Sequence, residues 1–448
     1  MADIYELIIR GGTLWTPSGP EMTDVAVRDG RIAAFGSFAE GLGAQELNAR
    51  GLMVLPGVVD TQVHFREPGL EHKEDLESGT RAAALGGVTA VFEMPNTTPS
   101  TTTAAAIADK LTRADGRAWT DHAFFVGAAA DNIAELPELE RLPGVCGVKI
   151  FMGSSTGSLL VEDDDTLRAV LSAGRRRIAI HAEDEPRLRE RKALLDENAG
   201  AGQHPFLRDP ETAIRATTRI LRLSRETGRR IHVLHVTTAD EVPLLAAHKD
   251  LVTCEVTPQH LTLSAPDCYA RLGSHAQMNP PIREAVHTTG LWRGVREGVF
   301  DVIGSDHAPH TLEEKARPYP ASPSGMPGVQ TLLPLMLDHV NAGHLTLARL
   351  VDLVCSGPAR IFNIAGKGRI ALGYDADFTL VDLAARREIE LDWLASKSGW
   401  SPYEGMSVTG WPMATVVRGA VVMRDGELAN APSGRPVRFQ ETLTASEA

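Results

Sequence analysis

What the chain lacks narrows its chemistry first. No uncharged apolar run reaches about 18 residues, so a membrane-spanning helix is not expected. Cysteine is scarce: Cys146, Cys254, Cys268 and Cys355 stand far apart with no CxxC pair, which argues against a disulfide framework and against a thiolate zinc site. Basic runs are missing too. With a formal charge of −13 and no Lys/Arg cluster beyond Arg175-Arg176-Arg177, the chain is not suited to bind a nucleic-acid backbone. That triplet is expected to be a solvated surface turn. No Gly-rich loop followed by a helix has nucleotide or dinucleotide spacing, and no internal repeat or low-complexity segment stands out. The opening Met1-Ala2-Asp3-Ile4-Tyr5-Glu6-Leu7 has no basic segment followed by an apolar stretch, so a cytoplasmic protein with reduced, buried thiols is expected.

What is present suggests an α/β architecture. At 448 residues and 43% hydrophobic content, the chain can bury one large core plus a smaller unit. Apolar strand-like runs alternate with Ala/Leu-rich helical stretches: Val58 to Phe65, Val88 to Met94, His122 to Val126, Val148 to Met152, Ile178 to Ala182, Ile231 to Val236, Val252 to Val256 and Val302 to Ser305. Eight such runs predict a parallel (β/α)8 barrel of the TIM type, although an open doubly wound sheet shares the alternation. The polar residues favour the barrel, because Gln62, His64, Lys149, His181, His235 and Asp306 fall at or near the carboxyl ends of these runs. Before them, Leu7 to Arg10, Val25 to Arg28 and Arg31 to Phe35 read as short strands, with Asp29-Gly30 as a hairpin signal. Similar texture returns in Phe378 to Val381, Ala414 to Gly419 and Val421 to Gly426. Both ends are therefore expected to build one small β-sandwich domain, from residues 1–54 and 366–448, around a barrel of residues 55–365. The stretch Arg317 to Pro327, with four prolines, is expected to be a mobile loop over the barrel mouth.

Alternation along a strand puts Gln62, His64 and Arg66 on one face, so a candidate ligand pair lies below a cation able to hold an anionic substrate. The imidazoles of His64, His181 and His235, with the Asp306 carboxylate, suit Zn2+. His232, three residues before His235, is expected on the opposite face and in a structural role. Lys149 sits in the apolar run Val148 to Met152, where an unpaired ammonium is costly. A buried ion pair would neutralise it, and so would reaction with carbon dioxide to a carbamate able to bridge two cations.

Nearly the whole chain resembles the amidohydrolase superfamily and, within it, the dihydroorotases, which interconvert carbamoyl-aspartate and dihydroorotate in pyrimidine synthesis. The matching segments are His64-Phe65-Arg66-Glu67-Pro68-Gly69, Glu93-Met94-Pro95-Asn96-Thr97, Gly147 to Met152, Ile180 to Asp184, Leu234 to Thr237, Glu255 to His260, Met278-Asn279-Pro280-Pro281, Ser305 to His310 and Gly368 to Asp377. The resemblance implies that His64, Asp306 and a carbamylated Lys149 hold one metal ion, and that the same carbamate with His181 and His235 holds a second. Zn2+ there would activate water, with Asp306 as the catalytic proton carrier. It further implies that Arg66, Asn96 and His310 recognise a ring carboxylate and that Asn279 meets the ring amide. A small-molecule substrate, a homodimer and an association with aspartate carbamoyltransferase belong to the same expectations. Two positions depart from the family pattern. Gln62 replaces the first histidine of a His-X-His motif, which predicts a weak or water-mediated first metal site beside an intact second one. Gln259 stands before His260 where dihydroorotases commonly carry histidine. Other readings are an allantoinase- or hydantoinase-type cyclic amide hydrolase, and a non-catalytic scaffold for aspartate carbamoyltransferase. Arg66 argues against the first, and the joint survival of Lys149, His181, His235 and Asp306 against the second.

Overall fold

Eight parallel strands form the centre of the computed structural model, which describes residues 5–155, 159–196, 198–429 and 431–442. They are β1 (Val58–Val63), β2 (Val88–Glu93), β3 (Asp121–Gly127), β4 (Val145–Phe151), β5 (Ile178–His181), β6 (Ile231–Val233), β7 (Val252–Val256) and β8 (Val302–Ile303). Each pairs with the next in chain order. The seam between β8 and β1 is closed by a parallel bridge from Val63 to His307, where the His64 amide donates to the His307 carbonyl at 2.7 Å. The expected barrel is therefore the observed one. Its strands are buried on both faces, as parallel strands under a helical cover must be, which is why apolar residues dominate their sequences and the polar exceptions, such as Gln62, Glu93, Asp121 and Lys149, are buried. The helix Pro210–Thr227 illustrates that cover. Asp209 caps the Thr212 amide, Pro210 starts the first turn, and Gly228 ends the helix in the left-handed region at φ 69°.

Inside the barrel, Ala90, Ala123 and Ala179 leave room that Phe92, Phe125, Phe362 and Phe439 fill. Phe439 and Val437 come from the last part of the chain, which runs beneath the barrel: the Val437 amide donates to the His122 carbonyl at 2.9 Å. Part of the segment expected in the β domain is thus a barrel floor, because small inward residues left a space for apolar side chains. The arginine triplet lies on the same floor and is not a solvated turn. Arg176 is 2% exposed, donates to the Glu140 and Val145 carbonyls at 2.6 Å, and sits 4.6 Å over the Phe439 ring. Arg177 donates to the Ile231 carbonyl at 2.9 Å, leaving Arg175 as the exposed member. Backbone carbonyls buried at the barrel floor need donors, and long guanidinium side chains reach them.

The two chain ends build a sandwich. A four-stranded sheet holds Tyr5–Arg10, Asp24–Arg28, Arg31–Gly36 and Gly43–Asn48. A seven-stranded sheet combines Thr13–Thr16, Gly19–Met22 and Met53–Pro56 with Phe378–Glu388, Ser407–Val417, Ala420–Arg424 and Glu427–Leu428. Leu7, Val25, Phe378 and Val416 belong to the core between them. Asp29 and Gly30, at φ 52° and 67°, make the expected tight hairpin turn. Between sandwich and barrel lies a buried ionic knot. Lys367 Nζ is 2.6 Å from Asp121 Oδ2, 2.5 Å from Asp377 Oδ2 and 3.3 Å from Asp375 Oδ2. The three carboxylates are close enough to hold a cation, and this ammonium takes that place. Arg418 pairs with Asp121, and Arg438 with Asp375. Among the described residues no helix is long and apolar enough to cross a membrane.

Candidate active site

At the carboxyl end of the barrel one cavity is lined by Gln62, His64, Arg66, Asn96, Lys149, His181, His235, Asn279 and Asp306. Nine of the ten site residues expected from sequence meet there, drawn from positions more than 240 residues apart. Local backbone geometry explains how they face inward. Around the end of β1 at Val63, Val63 and Phe65 pack into the outer core while Gln62 and His64 turn to the cavity, and Arg66 reaches it from a left-handed backbone at φ 67°. The case of His235 differs. β6 ends at Val233, and Leu234 belongs to the barrel interior, so strict alternation would send His235 outward. Its φ of 35° breaks the pattern and brings the ring into the cavity. His232, expected on the opposite face, points into the same interior one layer deeper, where Nδ1 lies 2.8 Å from Thr253 Oγ1. Close packing also constrains Gly304 after β8, where a Cβ would lie 2.4 Å from Glu255 Oε2.

Hydrogen bonds around the rings define which nitrogens face the cavity. Asn96 Oδ1 lies 2.8 Å from His64 Nδ1 and accepts its proton, which leaves the Nε2 lone pair 3.2 Å from Asp306 Oδ1. Two acceptors at that separation call for a positive centre between them. His181 Nε2 is 2.9 Å from Glu183 Oε2, so its Nδ1 lone pair faces His235 Nε2 at 3.0 Å. Burial alone would raise Glu183, but Arg208 and His181 outweigh it and hold the carboxylate well below its ordinary range. Burial lowers His64, His181 and His235, so all three imidazoles are neutral and keep lone pairs at neutral pH. Lys149 is lowered to about 7, again by burial, with Asp306 and Glu255 opposing. Its Nζ, His235 Nδ1 and Gln62 Oε1 are buried without a hydrogen-bond partner among the described residues. Unmet lone pairs and a neutralised amine around one cavity fit a divalent cation held by imidazole and carboxylate.

Gln62 donates its amide nitrogen to Asp306 Oδ1 at 3.0 Å. Arg66 is 1% exposed, and burial lowers it to about 10 despite the pull of Asp306 and Glu314. Its contacts are the Pro309 carbonyl, 3.2 Å from Nε, and His310 Nε2, 3.3 Å from Nη2; among the described residues no carboxylate pairs with it. His310 is the one expected site residue outside the cavity lining. It stands fully buried behind Arg66, with Nδ1 3.1 Å from Lys73 Nζ and Nε2 3.0 Å from the Ser324 carbonyl, because those two partners hold the ring away from the opening. Asn279 Oδ1 lies 3.0 Å from His204 Nε2. The inner cavity, about 20 Å3, opens past Ser155, Asn279 and Ser324 into a groove of about 710 Å3 bordered by His204, Arg208 and Tyr319. Sequence reasoning missed the Glu183 and Arg208 pair that orients His181. The signal was available, since residues two apart share a strand face.

Residues 53–422 match the amidohydrolase family model. Over 449 residues the chain is 35% identical to the dihydroorotase of Methanosarcina mazei, covering 97% of each chain. Over 453 residues it is 37% identical to the allantoinase of Rubrobacter xylanophilus, covering 97% of this chain and 98% of that one. Among solved structures, an L-hydantoinase (dihydropyrimidinase) from Arthrobacter aurescens matches with a TM-score of 0.91 at 31% identity, covering 97% of this chain and 100% of its own. On its sequence, its barrel and its convergent histidines, this chain belongs to the amidohydrolase family.

Proposed function

We propose that the chain is a dihydroorotase, a metal-dependent hydrolase that interconverts N-carbamoyl-L-aspartate and dihydroorotate. The observation that carries this reading is Arg66, a buried guanidinium on the cavity wall without a carboxylate partner among the described residues. Such a group is a ready fork for a ring carboxylate, which dihydroorotate has and the allantoin and hydantoin rings lack. His64, Lys149, His181, His235 and Asp306 would hold Zn2+, with Lys149 as a carbamate. An amine brought to about 7 keeps a large neutral fraction at neutral pH, able to add to carbon dioxide with loss of a proton. What a divalent cation supplies in this seat is Lewis acidity toward water and toward an amide carbonyl. Asp306 Oδ1 accepts from Gln62 and would share the cation with His64 Nε2, so Oδ2 is the atom that takes a proton from the attacking water and returns it to the departing ring nitrogen. Ring closure runs the same transfers in reverse. Asn279 meets the ring amide, and Asn96 contributes by holding His64 as well as by facing the cavity.

The substrate assignment has a direct test. Arg66→Ala should lower kcat/KM for dihydroorotate by about 10- to 150-fold, the worth of a lost charge-assisted contact, while leaving hydantoin turnover where it was. A fall of less than about threefold would remove the assignment.

Gln62 shapes the metal content. Its amide nitrogen donates to Asp306, and its free ligand atom is a neutral amide oxygen, a poorer zinc donor than an imidazole lone pair. One ion is then firmly held and the other is labile. Gln62→His should raise zinc retained after dialysis from about one to about two per chain, counted by elemental analysis. An unchanged count would contradict the labile-site reading.

A further inference from the structure

Lys315, the last residue of the short helix Leu312–Lys315, is a buried cation that none of the steps above uses. Its Nζ donates to the carbonyls of Gln277 at 3.3 Å, Pro323 at 2.8 Å and Gly325 at 3.0 Å. These belong to two different walls of the cavity mouth. Gln277 precedes Asn279 by two residues, while Pro323 and Gly325 flank Ser324, and Asn279, Ser324 and Gly325 all line the cavity. Uncharged ties cross the same gap: Gln277 Nε2 donates to the Ser322 carbonyl at 2.9 Å and to Ser324 Oγ at 3.0 Å, Ser322 Oγ donates to Gln277 Oε1 at 2.8 Å, and the Gly325 amide donates to the Gln277 carbonyl at 2.9 Å. The segment expected to be a mobile loop is therefore fastened at its far end. Among the described residues no carboxylate pairs with Lys315; its other neighbour is the Trp400 ring at 5.6 Å. A buried ammonium without a counter-charge costs far more than an apolar side chain of equal length. The one thing it supplies that methionine cannot is three N–H donors aimed at three carbonyls.

We propose that Lys315 is a positioning residue whose ammonium pins the Gln277 wall to the Pro323 and Gly325 wall, and so sets the mouth at Asn279 and Ser324. Its effect on turnover rests on the dihydroorotase reading, whereas the pinning itself does not. Burial lowers this ammonium to about 7, and the titratable groups that feel its charge are His275 and His310, both themselves lowered by burial. On losing a proton, the amine keeps two donors for three carbonyls.

The test is amide hydrogen exchange on the ligand-free full chain, corrected for the intrinsic pH dependence of exchange. In the wild type, protection of the Gly325 amide should fall at least about tenfold between about pH 6 and about pH 8.5. In Lys315→Met it should be low at both, with amides of the barrel strands unchanged, and KM for dihydroorotate should rise more than kcat falls. Equal Gly325 protection in variant and wild type overturns the proposal. Should the variant lose strand protection as well, the wild-type pH series decides alone, and pH-independent protection overturns it. Exchange needs no substrate, so inactivity on dihydroorotate would sink the functional reading and leave this one standing.

Discussion

Asp306→Asn should lower kcat for dihydroorotate hydrolysis and for ring closure by roughly 10²- to 10⁴-fold, the range associated with loss of a positioned proton carrier. The substitution is chosen for its backbone. Asp306 has a φ of 44°, a left-handed conformation that asparagine tolerates better than other residues, so the turn after β8 keeps its shape. The amide oxygen can still accept from Gln62, now 3.0 Å from Asp306 Oδ1. What disappears is the second carboxylate oxygen as a base. Unfolding midpoints should stay near wild type while the rate collapses in both directions, since one group serves both. A variant that retains activity within about threefold would show that the proton travels through another residue.

The second large effect concerns stability. Lys367→Met should destabilise the chain by about 3–5 kcal/mol, because removing one partner of a buried ionic cluster strands the others. Burial opposes the charge on Lys367, yet Asp121, Asp377 and Asp375 outweigh it and hold the ammonium above its ordinary range. A raised folded-state value means that its stabilisation is fully present below the unfolded-state value of 10.5 and fades only as pH climbs through the folded one. Without Lys367, Asp121 keeps Arg418 and Asp375 keeps Arg438, while among the described residues the Asp377 carboxylate retains only the Arg418 backbone amide. Burial already raises Asp377, so its protonation at lower pH would relieve the strain and the deficit should shrink. Equilibrium urea unfolding at two pH values measures both features. A loss below about 1 kcal/mol would show that the cluster contributes little.

How much of this was readable beforehand depends on whether a property is carried by a local pattern or by a distant contact. The eight strands were legible because Val, Ile, Ala and Phe dominate segments that are apolar on both faces. Convergence of His64, Lys149, His181, His235 and Asp306 followed from their common place at strand ends. Period-two reasoning worked for Gln62 and His64, and failed for His232, because the strand stops at Val233 and His235 adopts a positive φ. The arginine triplet misled for a different reason: surface preference is a property of the residue type, whereas unmet carbonyls on the barrel floor are a property of the assembled fold. The resemblance gives His310 a part in carboxylate recognition, and its contacts with Lys73, Ser324 and Arg66, which put the ring behind Arg66, were not readable from sequence. Glu183 could have been found from its spacing of two from His181, whereas Lys315 acts on carbonyls as much as 38 residues away and no local pattern announces that pairing.

The barrel floor has a consequence for biogenesis. The Gly434 amide donates to the Ala118 carbonyl, the Val437 amide to that of His122, and Phe439 fills the interior from below. The strand Met53–Pro56 likewise pairs with Phe378 to Val381, more than 300 positions later. A nascent chain emerging from the ribosome can therefore pair β1 with β2 early, but it cannot finish the sandwich before Phe378 to Val381 emerge or seal the base before Gly434 to Phe439 do. Until then Phe92, Phe125 and Phe362 share the interior without Phe439, and their apolar surface faces water from below.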